Sequence, residues 1–271
     1  MQAVKFGVGT FILREEAQKD LFGVLDGLKA IGCDGIELLG FFGKQPSEIR
    51  KKLDAIDLIA MGDHVDIAKF LAEPEKVIDD HLEVGCSYLT IAHGEGMFPV
   101  GSAAFDGMLD NMRMLIEKCL KAGLTPHYHN HGWDAKGVPS YIDALMDNLR
   151  KDGLRLEPDL GWMVYAGADP ADYLQRYADN CPVLHLKDVY ADDYAKVGNK
   201  PGSNSRDPEN GGFEFRPTGF GTVNFPALMP LCAACEPQWL IADHDLAYAR
   251  DTYEDLRISV KYLRDLVKVA F

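Results

Sequence analysis

Short apolar runs alternate with amphipathic segments along the chain. The runs with strand character are VKFGVGTF (4–11), GIELLG (35–40), DLIAMGDHV (57–65), YLTIAHG (88–94), LTPHYHN (124–130), RLEPDL (155–160), VLHLKDV (183–189) and WLIADHD (239–245). Between them lie helical patterns such as EAQKDLFGVLDGLKAIG, FDGMLDNMRMLIEKCLKAG, PADYLQRYA and TYEDLRISVKYLRDLVK, most of them bounded by Gly or Pro. Eight strands, each followed by a helix, within 271 residues predict an α/β fold: a (β/α)8 TIM barrel forming a single domain over 1–271. A doubly wound open sheet is the rival. No G-x-G-x-x-G follows the first strand, which weighs against its dinucleotide-binding form. One segment breaks the alternation, about 35 residues between the seventh strand and the helix near 225, with VGNKPGSNSRDPENGGFEFRPTGFG inside it. A loop of that length in a compact domain is usually functional. The part from Tyr190 to Phe220 is expected to be a substrate lid or a partner contact. Phe213, Phe215 and Phe220 would anchor its far end, and most of the rest is too polar to be ordered by burial.

In such a barrel the active site forms at the C-terminal ends of the strands. Those ends carry Glu37, His64, His93, the trio His127, His129 and His131, then Glu157 and Asp159, His185 and Lys187, and Asp243 and Asp245. Strand residues two apart share a face, so the histidines of HYHNH line up towards the mouth. Polar groups buried in parallel strands are costly unless paired or metal-bound. Taken singly, each has a quieter reading. His64 and His93 fit hydrogen-bonded structural histidines, His127 a partner for a neighbouring carboxylate, and Glu157 a partner for Arg155 or a lysine. Regular strands turn Asp188 and Asp245 away from Lys187 and His244, where they could cap helices.

The convergent set Asp159, His185 and Asp243, with His129, His131 or Asp134, predicts a shared divalent metal. Mixed imidazole and carboxylate suits Mn²⁺, Zn²⁺, Co²⁺ or Fe²⁺. It is too nitrogen-rich for Ca²⁺ and lacks the thiolates of a structural zinc site. His129 and His131 suit proton transfer, because imidazole titrates near neutrality. Lys187 could bind an anionic oxygen of a ligand. Trp133, Trp162, Phe11, Phe41 and Phe42 lie just past strand ends and could stack on the apolar face of a ligand; Glu37, His64 and His93 complete the expected substrate contacts.

Composition narrows the ligand class. Lys and Arg total 28 against 42 Asp and Glu, a formal charge of −14, and no basic strip overrides it, so nucleic acid is not the expected partner. No run reaches the roughly 18–20 apolar residues of a membrane span, and MQAVKFGVGTF lacks the charge pattern of a signal peptide. The expected location is therefore cytoplasmic, with the 6 cysteines as free thiols, and Cys232 and Cys235 of LCAAC on a buried helix face.

YHNHGWD, EPDLGWMVYAGADP, LHLKDV, GFGTVNFPAL and IADHD, in this order and spacing, resemble the sugar phosphate isomerase/epimerase family of xylose-isomerase-like barrels over essentially the whole chain. The resemblance implies a metal, most often Mn²⁺ with Zn²⁺, Co²⁺, Mg²⁺ or Fe²⁺ as alternatives, held by Glu, Asp, His and Glu near the ends of strands 5 to 8. It maps the strand-6 ligand onto Asp159, the strand-7 ligand onto His185 and the strand-8 ligand onto Asp243, where the family more often has Glu. His-Asn-His-x-x-Glu relatives place the strand-5 acid at Asp134, again a shorter arm; Glu-Asn-His relatives place it at His129. Asp134 is preferred, leaving His129 and His131 for acid/base work. The implied activity is isomerisation or epimerisation of a keto-sugar or related polyol through an enediolate. Metal-dependent lyases resembling inosose dehydratases or C-glycoside deglycosidases are the alternative, and an endonuclease-IV-like nuclease or a non-catalytic sugar-binding barrel stands behind them. No P-loop is present and arginine is scarce at the strand ends, so the expected substrate is unphosphorylated, bound by a homo-oligomer or with a small partner subunit.

Overall fold

All eight apolar runs become parallel strands of one ring, each differing a little in extent from its run. The computed structural model describes residues 4–198, 206–248 and 250–270. Among them the strands are β1 (Lys5–Gly9), β2 (Gly35–Leu38), β3 (Ile59–Asp66), β4 (Tyr88–Ala92), β5 (Thr125–His129), β6 (Arg155–Glu157), β7 (Val183–His185), β8 (Asp188–Tyr190), β9 (Glu214–Arg216) and β10 (Trp239–Ala242). Their order around the barrel is β6-β5-β4-β3-β2-β1-β10-β7, with β8 and β9 outside it as an antiparallel hairpin. Between β6 and β7 the ring is closed by one bridge, Asp159 to His185.

β4, β6, β7 and β10 stop before His93, Asp159, Lys187 and Asp243, which frees those side chains from strict alternation. Helices wrap the ring because their apolar residues recur every three or four positions. The helix Arg14–Ala30 buries Ala17, Leu21, Val24, Leu25 and Leu28. The helix Ala103–Ala122 starts at the Ser102 cap, whose hydroxyl accepts from Phe105 N, and ends at Gly123. All six cysteines are buried free thiols; Cys232 lies on the inner face of the helix Phe225–Ala234 and Cys235 just beyond it, as the apolar pattern predicts.

The segment after β7 departs from expectation. Much of it is built into the barrel. Asp188 accepts backbone N–H bonds from Val189, Gly219, Gly221 and Val223, so its carboxylate ties the two ends of the excursion together and caps no helix. Phe213 and Phe215 are each 1% exposed, stacked edge-on to each other and to Tyr165 and Trp162 respectively. Burying two such rings contributes about 2–3 kcal/mol each, which orders a stretch whose composition reads as loop. Phe220, by contrast, is 54% exposed and joins no core cluster among the described residues. The central part of the expected lid, residues 199–205, lies outside the described residues.

Candidate metal centre and active site

The mouth holds an ionisable cluster built from six strand ends. Asp159 follows β6 and caps the helix Leu160–Ala166: its Oδ1 accepts from Trp162 N at 2.9 Å, leaving Oδ2 turned to the mouth. Asn130 fixes the backbone beneath it, accepting from Asp159 N at 2.9 Å and donating to Asp159 O at 3.3 Å. His185 ends β7. Its Nδ1 lies 3.3 Å from Asp243 Oδ2, and its Nε2 lies 2.8 Å from Glu37 Oε2 and 3.4 Å from Glu157 Oε1. Asp243 follows β10; Gly9 opposite has no side chain, and a Cβ there would sit 2.9 Å from the Asp243 carboxylate. Close approach of β1 to the acid therefore requires glycine.

Lys187 is walled in at 1% exposure, with Nζ 2.8 Å from Asp245 Oδ1, 3.0 Å from Asp243 Oδ2 and 3.2 Å from Asp159 Oδ2. Because β10 ends at Ala242, Asp245 turns inward instead of away, contrary to the regular-strand expectation. Deeper in, Glu157 is fully buried among His64, His127, His129 and His185 and accepts from Thr90 Oγ1 at 3.0 Å. It does not pair with Arg155, which turns out to Asn180, nor with a lysine. His64 Nε2 lies 3.1 Å from Glu37 Oε1.

Electrostatics divides these groups. Burial opposes charge on His185, but Glu37 and Glu157 outweigh it and hold the imidazolium well into the alkaline range. The same balance pushes His64 up to about 10. His129 is held neutral by burial and then by the charges of His185 and His64; His131 falls to about 3 through burial and Lys187. Burial raises Asp159 to about 6, whereas Lys187 and His185 overcome burial at Asp243 and keep it ionised. The carboxylates around Lys187 outweigh its burial and lock its charge.

Not every expected residue joins the cluster. Glu37, His64, His129, His131, His185, Lys187 and Asp243 line one cleft together with Thr10, Phe11 and Leu39. Asp134 is turned away. Its Oδ2 accepts from Tyr128 OH at 3.1 Å and from His131 N at 2.8 Å, because the Asp arm is too short to do this and also reach the mouth. His93 contacts Tyr141 OH at 3.2 Å inside a group of rings with Phe98, Tyr128 and Trp133, outside the cleft. Trp162 packs on Phe215 and Tyr165, with Lys187 Nζ 4.8 Å from its ring centre, so it braces the lysine from behind. Glu157 and Asp245 were undervalued by their sequence context; the signal that marks them is their spacing of two from Asp159 and Asp243.

Two sets of donor atoms are close enough to share an ion, each with its atoms within 4.8 Å of one another: Asp159, His185 and Asp243, and, deeper, His64, His129, Glu157 and His185. Asp159 Oδ2, Asp243 Oδ1, His129 Nδ1, Glu157 Oε1 and His185 Nε2 are buried without a well-directed hydrogen bond. Polar atoms left without a directed hydrogen bond are expensive in a core, and a divalent cation would satisfy them. The residues present fit the group.

Residues 25–244 match the xylose isomerase-like TIM barrel family. The chain belongs to that family. The barrel superimposes on a sugar phosphate isomerase/epimerase from Parabacteroides distasonis with TM-score 0.74 and 20% identity, covering 97% of this chain and 94% of that one. It also superimposes on the IolI protein, solved with a bound zinc atom, with TM-score 0.75 and 11% identity over 99% of each chain. In sequence it is similar to an inosose dehydratase of Geobacillus kaustophilus, 24% identical over 191 residues, which is 62% of either length. The chain thus spans about three fifths of the length of that curated relative. No helix among the described residues of this xylose isomerase-like barrel is long and apolar enough to cross a membrane.

Proposed function

We propose that this barrel is a divalent-metal-dependent enzyme that removes the proton beside the carbonyl of an unphosphorylated keto-sugar or keto-cyclitol, isomerising or epimerising it. One observation carries the reading: Asp159, His185 and Asp243 bring donor atoms within 4.8 Å of one another, beside a cleft that Glu37, His129, His185 and Asp243 line. Asp159, His185 and Asp243 would hold the ion, and His129 supplies the strand-5 position, its Nε2 lying 3.8 Å from Asp159 Oδ2 while Asp134 is engaged elsewhere. A nitrogen ligand in place of an acid makes Zn²⁺, Co²⁺ or Fe²⁺ as suitable as Mn²⁺.

A bound divalent ion polarises the carbonyl and its neighbouring hydroxyl and so acidifies the C–H between them. His131, neutral and at the cleft, takes the proton. Lys187 offsets the negative charge left on the substrate oxygens. His64, held protonated by Glu37 and Glu157, returns a proton from the other side. Return to the neighbouring carbon gives the isomer, and return to the opposite face of the same carbon gives the epimer.

A lyase reading is favoured by the similarity to an inosose dehydratase. In it the proton from His64 goes to a hydroxyl one carbon further along, which leaves as water and yields an unsaturated ketone. The test is proton exchange in D₂O, read by NMR on a panel of ketoses and inososes. Metal-loaded protein is expected to exchange the α-hydrogen, and the Asp159→Asn protein is not. Water loss read as enone absorbance selects the lyase. No exchange with any ketone by loaded protein overturns both readings.

A further inference from the structure

Outside the cleft, a buried acid and a buried imidazole join three elements. Asp63, on β3 and 2% exposed, faces away from the barrel interior that His64 enters. Its Oδ1 accepts from Gly40 N at 2.8 Å, and its Oδ2 lies 2.9 Å from His81 Nε2. His81, also 2% exposed, sits on the helix Pro74–Val84, where its Nδ1 is 2.6 Å from Val77 O. A carbonyl can only accept, so Nδ1 carries a proton. The contact at Nε2 is then a proton shared with the Asp63 carboxyl, whichever of the two holds it.

What this pair holds is the turn after β2. Gly40 and Gly43 have φ of +74° and +77°, and Phe42 between them takes +51°, a left-handed conformation that a non-glycine residue adopts only when its surroundings impose it. Phe41 lies 4.9 Å ring to ring from His81, and Lys44 N closes the turn on Phe41 O at 2.9 Å. Leu38 and Leu39, directly before it, line the cleft. The turn is part exposed, with Phe41 and Phe42 packed on the core, and the Gly40–Asp63 bond ties its backbone to the barrel wall.

We propose that Asp63 and His81 are positioning residues: through Gly40 they fix the Leu39–Lys44 turn and with it the β2 wall of the cleft, so that they set substrate affinity and not the chemistry. The affinity part rests on the proposed function; the positioning part does not.

Two variants separate the roles. Asp63→Asn keeps an acceptor for Gly40 N and a donor for neutral His81, and should behave as wild type. The double variant Asp63→Leu/His81→Phe replaces a buried polar pair by apolar groups of similar volume, a change that typically preserves folding, and deletes the tether. Its backbone amides at 40–44 should exchange with D₂O about tenfold faster or more, with the strands unchanged and metal content intact. With an inosose as probe, KM should rise about tenfold while kcat stays within about twofold. Unchanged exchange at 40–44 in the double variant overturns the proposal, as does Asn failing to preserve wild-type exchange. If wild-type protein turns over no inosose, the proposed function loses that substrate while the exchange measurement still decides the tether.

Discussion

The ammonium of Lys187 stands 3.0 Å from the Asp243 carboxylate, so the cleft carries a fixed cation beside the acids that would bind a metal. Removing it should cut both ways. In Lys187→Met, Asp159, Asp243 and Asp245 lose their shared partner, at a cost of about 3–5 kcal/mol, or a fall in Tm on the order of 10 °C in metal-free protein. Added Zn²⁺ or Mn²⁺ should restore most of that, because the freed carboxylates then bind the ion more tightly. Thermal scans with and without metal check this. A metal-free Tm equal to wild type would show that the lysine is not the partner these acids depend on.

Asp243→Asn should weaken metal binding by more than about a hundredfold while the protein stays folded, since Gly9 and the β10 backbone leave room for the amide. Metal content after dialysis reads this directly, and full occupancy in the variant would remove Asp243 from the ligand set.

His131→Gln should lower turnover by roughly 10²-fold with little change in Tm, because the structure holds His131 by its backbone N–H to Asp134 and leaves the ring at the half-buried cleft. Circular-dichroism melts beside steady-state rates distinguish the outcomes; a large Tm loss with normal turnover per folded molecule assigns the ring to the fold.

Asp134 yields a pH prediction. Burial pushes its carboxyl up to about 8 from an ordinary 3.8, so the folded chain holds a proton there that the unfolded chain releases. Between those two values the folded state binds more protons, and stability contributed by this site declines as pH rises. Asp134→Asn cannot ionise, so its Tm should fall less than that of wild type between pH 5 and pH 8. Parallel Tm curves would refute the shift.

Phe215→Ala should cost about 3–5 kcal/mol, because the ring is sealed against Phe213 and Trp162, and it should also loosen Lys187 through Trp162. A urea titration gives the first quantity. A drop in turnover beyond the unfolded fraction gives the second.

The barrel was legible in the chain because buried parallel strands write themselves as apolar runs and surface helices as amphipathic ones. The acids and histidines at strand ends were legible for the same reason: they interrupt runs that have every incentive to stay apolar. What pattern could not convey was where a side chain goes once its strand has stopped. Asp245 swings inward because β10 ends three residues earlier, and Asp134 folds back on Tyr128 and His131 in a turn with no periodicity to follow. Glu157 looked like half of an ordinary ion pair because Arg155 was next in line; only the closed ring reveals that Arg155 faces outward and Glu157 faces four histidines. The hairpin after β7 hid in a stretch rich in Gly, Pro and Asn, since its two phenylalanines find their partners on the helix after β6, far away in sequence.

The single bridge between Asp159 and His185 has a mechanical meaning. Every other pair of neighbouring barrel strands is laced by several register contacts, whereas the join between β6 and β7 hangs on these two residues. They are also two of the proposed ligands. Any ion they hold in common is therefore a clasp across the seam where the ring would open first. Stripping the metal should unfasten the barrel there, between its first six strands and its last two, before it disturbs anything else.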